Sequence, residues 1–176
     1  MCIVAWLPHQ NGYHVFSNRD DRPAKAHLSN HRQQGSDLVI LLNGGFKKHR
    51  STPPYRASRV EVLQTYFDFL GADDFYHNFV FEGMEAFTLV VFQHQQLQQL
   101  VWTGTEVRRQ QLDLHQLHLW ASSTLYTEKE RLQFRSLVEQ QRQDPAEVSQ
   151  LFKHTFKYPG NAYGTVTLST VHFELQ

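Results

Sequence analysis

A thiol, a guanidinium and two carboxylates stand close together near the start of the chain: Cys2 directly behind Met1, then Asn18-Arg19-Asp20-Asp21. Removing Met1 leaves one residue carrying both a thiol and a free α-amine. The thiol titrates near about 8.5 and the amine at roughly 7.7–8.0 in unfolded peptides. Such a residue supplies a nucleophile and its own general base, the pairing that an N-terminal threonine uses in known hydrolases. Nearby carboxylates can hold the ammonium, and an arginine favours the thiolate. Asn43 offers a side-chain amide to a developing oxyanion, and Gly44-Gly45 behind it permits close backbone approach. Taken singly, cysteine also packs as a small hydrophobe, and Asn-Arg-Asp-Asp also reads as a solvated turn. The catalytic reading rests on their occurring together.

These residues meet only if the elements between them fold in a particular way. Cys2 to Leu7 reads as a buried strand and Tyr13 to Ser17 as a second, joined by a turn at Pro8 to Gly12 whose strongest signal is Asn11-Gly12. The hairpin brings the start of its first strand beside the end of its second. Pro23 to Asp37 reads as polar and irregular. Leu38 to Leu42 is a short strand ending at Asn43. Ser58 and Glu61 have the spacing of a capping box, with Val60, Leu63, Phe67 and Leu70 as the apolar face of a helix that Gly71 ends. Ala72 to Phe79 reads as a second short helix, and Phe87 to Phe92 with Leu97 to Trp102 as a hairpin. His118 to Ala121 is a strand. Thr127 and Glu130 box the start of a helix with Leu132, Phe134, Leu137 and Val138 on its apolar side. Pro145 opens another helix through His154, and Thr165 to Leu175 alternates as a long strand. Strands flank a helical block, which predicts an α+β fold with largely antiparallel sheet.

The 176 residues suit one domain spanning 1–176, with 40% hydrophobic and 13% aromatic residues. Formal net charge is zero, which argues against a protein built on nucleic-acid binding. One cysteine excludes an intrachain disulfide or a cysteine-cluster metal site, and fits a reducing compartment such as the cytoplasm. No signal peptide and no membrane span is expected. His115 and His118 would point to opposite faces of an extended segment, and His27 and His31 sit near Pro23 in a polar run, so no metal site is expected. No cofactor is expected either, since the chain has no Walker loop, Gly-x-Gly-x-x-Gly or Gly-x-Ser-x-Gly. Lys47-Lys48-His49-Arg50 is a basic patch able to hold an anionic head group.

Met-Cys-Ile-Val at 1–4 with Ser-Asn-Arg-Asp-Asp at 17–21 resembles the NRDE family, also called the transport-and-Golgi-organisation family. Leu-Leu-Asn-Gly-Gly-Phe-Lys-Lys-His at 41–49, Pro-Pro-Tyr-Arg-Ala-Ser-Arg at 53–59, Leu-Trp-Ala-Ser-Ser-Thr-Leu-Tyr at 119–126 and Tyr-Gly-Thr-Val-Thr at 163–167 look like further family blocks. The resemblance implies a four-layer αββα fold like that of the N-terminal-nucleophile hydrolases. It is also similar to the bile-salt hydrolase and penicillin acylase group, which cleave non-peptide amide bonds. By that likeness Cys2 is the nucleophile, Asp20 or Asp21 contacts its amine, Arg19 lies beside the thiol and Asn43 helps form the oxyanion hole. Asn18 stands where the acylases place an arginine, and Asn18, Gly44 and Phe46 are assigned to substrate binding.

The chain departs from the family pattern in three places. Asp21 stands where the family has glutamate. Val166 and Ser123 replace an arginine and an asparagine of many relatives. A Gly-Gly-Thr-Trp signal and a strand expected before the Leu-Asn-Gly block are missing, with Gln33-Gln34-Gly35-Ser36-Asp37 leading straight into Leu38. Two readings stay open: a cysteine-type amidohydrolase acting on a small non-peptide amide, and a non-catalytic carrier of haem or a lipid-like acyl ligand. For the carrier, Trp6, Phe46, Tyr55, Phe67 and Trp102 are the candidate lining. The expected partner is a small amide or hydrophobic ligand, with no nucleic acid; self-association is left open.

Overall fold

Two runs of apolar residues pair as the first hairpin in a computed structural model that describes residues 2–9, 12–19 and 31–155. Strand β1 (Cys2–His9) pairs antiparallel with β2 (Gly12–Arg19). On its other edge β1 pairs antiparallel with β8 (His118–Ala121), giving a three-stranded sheet of order β2-β1-β8. Ile3, Ala5 and Leu7 pack with Phe16, Val138, Val148 and Phe152, while Val4 and Trp6, with the alternate parity, are buried as well. The indole N–H of Trp6 donates to the Leu114 carbonyl at 3.0 Å, which satisfies its one polar atom.

The helices of this unit are α3 (Glu128–Gln141) and α4 (Pro145–Gln150), the latter followed by a π turn at Leu151–Thr155. The expected capping box opens α3: the Thr127 hydroxyl accepts from Glu130 N, and the Glu130 carboxylate accepts from Thr127 N at 2.7 Å. Those hydrogen bonds from Thr127 hold the Glu130 carboxyl below the usual range. Val138 is buried on the inner side of α3, and Phe134 and Leu137 pack partly buried against the same cluster. Leu132, expected on the same side, is exposed, because two residues before Phe134 is about 200° round the helix. Asp144 caps α4, with Pro145 in its first turn.

The second unit, residues 28–113, is a meander of five antiparallel strands in the order β3-β4-β5-β6-β7. They are β3 (His31–Gln34), β4 (Asp37–Asn43), β5 (Phe87–Gln93), β6 (Gln96–Trp102) and β7 (Val107–Leu112). The three inner strands carry the apolar runs the sequence shows. Both edge strands went unread: β3 lies in the stretch expected to be irregular, and β7 is Val-Arg-Arg-Gln-Gln-Leu. Both are polar and largely exposed, as edges that must not recruit another strand tend to be.

Two short helices, α1 (Val60–Thr65) and α2 (Ala72–Asn78), lie in the connection from β4 to β5, with a 3₁₀ turn at Tyr66–Asp68 between them. The Ser58–Glu61 box does not form. Arg59 is the N-cap and makes no side-chain cap bond, and Glu61 pairs instead with Arg56 at 3.6 Å. The expected apolar face also stops short. Phe69 is extended (ψ 154), so the helical period no longer applies at Leu70, which is 90% exposed. Leu63, Tyr66, Phe75 and Phe81 pack on Val39, Leu89 and Trp102. The expected strand Thr165–Leu175 and the block 163–167 lie outside the described residues. The fold is therefore α+β, with two antiparallel sheets. Among the described residues no helix is long and apolar enough to cross a membrane.

Gly71 has φ +147, and a Cβ there would stand 2.9 Å from Gln93 Oε1. That oxygen is held in place, since it accepts from the Tyr66 hydroxyl at 3.2 Å while Gln93 Nε2 donates to Asp37 at 2.8 Å. Burial next to Asp37 raises the Tyr66 hydroxyl far above its usual range, so it stays a donor. Gly71→Ala is expected to destabilise the protein by roughly 1–3 kcal/mol, read as a lower urea midpoint at unchanged m-value. A neutral effect would remove the strain from this position.

Burial lowers the titration of His31. Its folded pKa lies below the unfolded value of about 6.5, so the unfolded chain takes the proton first as pH falls. His31 therefore costs stability progressively below about pH 6.5. Urea titrations at several pH values should show a smaller loss on the acid side for His31→Gln than for the parent protein.

Candidate active site

The β1–β2 ladder settles which residues of the N-terminal motif meet. Cys2 is the register partner of Arg19, and Ile3 that of Asn18. Partners in an antiparallel ladder have Cα atoms about 4.5–5.5 Å apart. For Cys2, Asn18 and Arg19 the description is of the backbone. Asp20 and Asp21 lie outside the described residues. Next along the motif, Ser17 pairs with Val4 and is buried.

β1 is the middle strand, so its start has a second neighbour. Ile3 pairs with Ala121, the last residue of β8, and Ser122 and Ser123 follow at once. Both serines are buried, at 1% and 3% exposure. The Ser122 hydroxyl lies 2.9 Å from that of Thr124, and its carbonyl accepts from Leu125 N and Tyr126 N. A buried hydroxyl pair just beyond the residue that pairs with Ile3 is the polar feature most easily missed from sequence. More than a hundred residues separate it from Cys2, and the only signal was the Ala-Ser-Ser-Thr block itself.

In the second unit Asn43 closes β4 opposite Phe87. The chain then turns through Gly44 at φ +87, whose N–H donates to Ala86 O and whose carbonyl accepts from the buried Thr88 hydroxyl, each at 3.0 Å. Gly45 lies so close to the Trp102 carbonyl that a Cβ would come within 3.3 Å of it. These glycines hold the loop hard against β5 and β6. Phe46 is 45% exposed, with the Arg108 guanidinium 5.9 Å above its ring.

The basic loop contains more order than its sequence suggests. Lys47, Lys48 and Arg50 are exposed. His49 is tied to a neighbour on that surface: its Nε2 lies 3.1 Å from Glu85 Oε1. The other carboxylate oxygen of Glu85 is 3.2 Å from Arg59 NH2, and Arg59 NH1 donates to Ala86 O at 3.2 Å. Burial lowers the titration of Arg59 against the opposing pull of Glu85, and it remains a cation at neutral pH. Glu85 thus joins the loop after β4, the start of α1 and the strand entry at Phe87. A carboxylate that orients an imidazole in this way is the arrangement from which a general base is built. Neither Glu85 nor Arg59 was singled out from sequence, because their partners lie 26 and 36 residues away along the chain.

Among the described residues, no group of three or more His, Cys, Asp or Glu is placed to hold a metal ion. Trp6 and Trp102 are core residues of different units, with the Trp102 N–H donating to Met84 O at 2.9 Å. Phe67 is partly buried beneath Arg32, and the Tyr55 hydroxyl accepts from Thr52 N. Comparison with known proteins finds no family model that matches this chain and no curated protein that matches it.

Removing Glu85 leaves a partly buried guanidinium and imidazole without their acceptor. Glu85→Ala is expected to destabilise the protein by roughly 1–3 kcal/mol in urea unfolding. In Arg59→Met the same removal should cost measurably less, so that a double-mutant cycle reads the coupling directly.

Proposed function

We propose that the chain is a cysteine-type N-terminal-nucleophile amidohydrolase of the NRDE type, with the four-layer αββα architecture of that class, acting on a small non-peptide amide. The observation that carries the proposal is the register partnership of Cys2 with Arg19, which sets the sole cysteine beside the motif it resembles. Two antiparallel sheets whose strands bury residues of both parities support the layered reading. A catalytic thiol also suits a reducing compartment, and we assign the protein to the cytoplasm.

In this mechanism Cys2 is first in the mature chain. Its α-amine takes the thiol proton, and the sulfur attacks the amide carbonyl carbon. The carbonyl oxygen becomes an oxyanion, to which Asn43 donates. Collapse breaks the C–N bond, and the departing amine takes the proton from the α-ammonium. Water, deprotonated by the same α-amine, then attacks the thioester carbonyl carbon; the C–S bond breaks, the acid leaves, and the α-ammonium returns its proton to the Cys2 sulfur. Arg19 stabilises the thiolate, Asp20 or Asp21 holds the ammonium, and Asn18, Gly44 and Phe46 bind substrate.

Intact mass tests the premise first: loss of Met1 is expected, and a retained methionine would cap the amine and end the hydrolase reading. An activated amide or ester probe should then leave a single acyl group on Cys2. Cys2→Ala should abolish the adduct and lower turnover by at least about 10³-fold. Asn43→Ala should still acylate, with turnover reduced roughly 10²- to 10³-fold. Haem or acyl-CoA binding that survives Cys2→Ala in a protein without turnover would favour the carrier instead.

A further inference from the structure

An open cleft in the first unit lies at the far end of β1 from the cysteine. It is a cleft of about 580 Å³, within the range of small-molecule sites. Leu7, Pro8, His9 and His14 line it from the first hairpin, His115 and Leu117 from the segment before β8, and Arg142, Gln143 and Pro145 from the junction of α3 and α4. Seven residue steps along β1 separate His9 from Cys2, roughly 23 Å of strand, so the cleft is distinct from any chemistry at the nucleophile.

Among the described residues the lining holds three imidazoles, one guanidinium and one carboxamide, and none of these is acidic. His9 and His14 stack with ring centroids 4.2 Å apart and planes 24° from parallel. Two imidazolium ions at that distance repel each other, and a bound anion offsets the repulsion. We propose that this cleft binds a small molecule through a tetrahedral oxyanion, a phosphate or sulfate group, held by Arg142 and by protonated His9, His14 and His115.

Glu139 pairs with Arg142 at 2.9 Å, but both side chains are about half exposed, and such a pair is weak enough to yield to a dianion. Asp144 is committed to Ala146 N as the cap of α4. On β8, His118 stacks against Trp120 and is not part of the lining. The charge that recognises the ligand comes from histidine, so binding strengthens as pH falls through the histidine range and weakens as it rises.

Sulfate is the probe, because its charge is constant across this range. Full-length protein is titrated with sodium sulfate at matched ionic strength, by calorimetry and by thermal shift, at about pH 5.5 and about pH 8. Binding at the lower pH is expected to be at least roughly tenfold tighter. His14→Gln and Arg142→Gln should each weaken it by a similar factor while unfolding cooperatively without sulfate. Arg108→Gln, in the other unit, should leave it unchanged. An alkyl phosphate distinguishes the source of the oxyanion: tighter binding than sulfate assigns an ester, and equal binding the free ion. No binding by the parent protein at about pH 5.5, equal affinity at both pH values, or an equal response to acetate would overturn the proposal.

Discussion

The register between Cys2–His9 and Gly12–Arg19 is the constraint on which the candidate site depends. Because side chains alternate, a slip of one residue would carry Ile3, Ala5 and Leu7 off the face they share with Phe16 and Phe152. It would also replace the Cys2–Arg19 partnership with a different pair. The slip is opposed from three directions. Ile3, Val4 and Ala5 are each fully buried, so neither parity of β1 tolerates exchange with a polar neighbour. Tyr13 packs against Trp6 with ring centroids 4.5 Å apart, and the Trp6 N–H is tied to Leu114. The pairing of Ile3 to Trp6 with Ala121 to His118 then locks the other edge of the same strand. The position of the thiol-bearing residue is thus set by apolar packing along the strand, while the polar motif only occupies its end.

How much of this was legible follows from the range of the interactions. The first hairpin could be read because its turn signal and both apolar strands lie within the first 19 residues, so the nearness of Cys2 and Arg19 followed from local rules. The α3 cap could be read for the same reason, since Thr127 and Glu130 complete each other three residues apart. At Ser58 and Glu61 the spacing was equally good, and the outcome differed because Arg56 and Arg59 were present. Arg56 draws Glu61 away, and Arg59 is fixed by Glu85 and the Ala86 carbonyl. Long-range charge pairing there outweighed a cap worth about 1 kcal/mol. The two missed strands are β-structure for a reason outside their own composition: β4 and β6 offer free edges, and β3 and β7 pair with those edges.

The same distinction of range explains why the polar features behave differently from their sequence appearance. Lys47-Lys48-His49-Arg50 reads as four cations on one loop, yet Glu85 withdraws His49 from that set. Asn43-Gly44-Gly45 reads as a turn and is one, but its tightness comes from Ala86, Thr88 and Trp102 on neighbouring strands. In the first unit, three histidines scattered through the sequence line one cleft because the hairpin and the segment before β8 end together. Charge counted along the chain therefore gave a poor picture of charge in space.

Short helices give the clearest case of structure imposed from outside the segment. Helices α1 and α2 have six and seven residues, below the length at which an isolated helix is stable in water. Neither has a side-chain cap bond at its start. They persist because Leu63, Tyr66 and Phe75 are buried, with Phe75 in ring contact with Tyr66, Phe69, Phe79 and Phe81. Phe81 continues those contacts to Phe87 and Trp102 in the sheet. The segment from Val60 to Phe81 is therefore held as an aromatic layer first and as helices second. That ordering accounts for the break after Thr65: the chain gives up helical hydrogen bonds at Phe69 in order to seat its ring against Phe75 and Phe79.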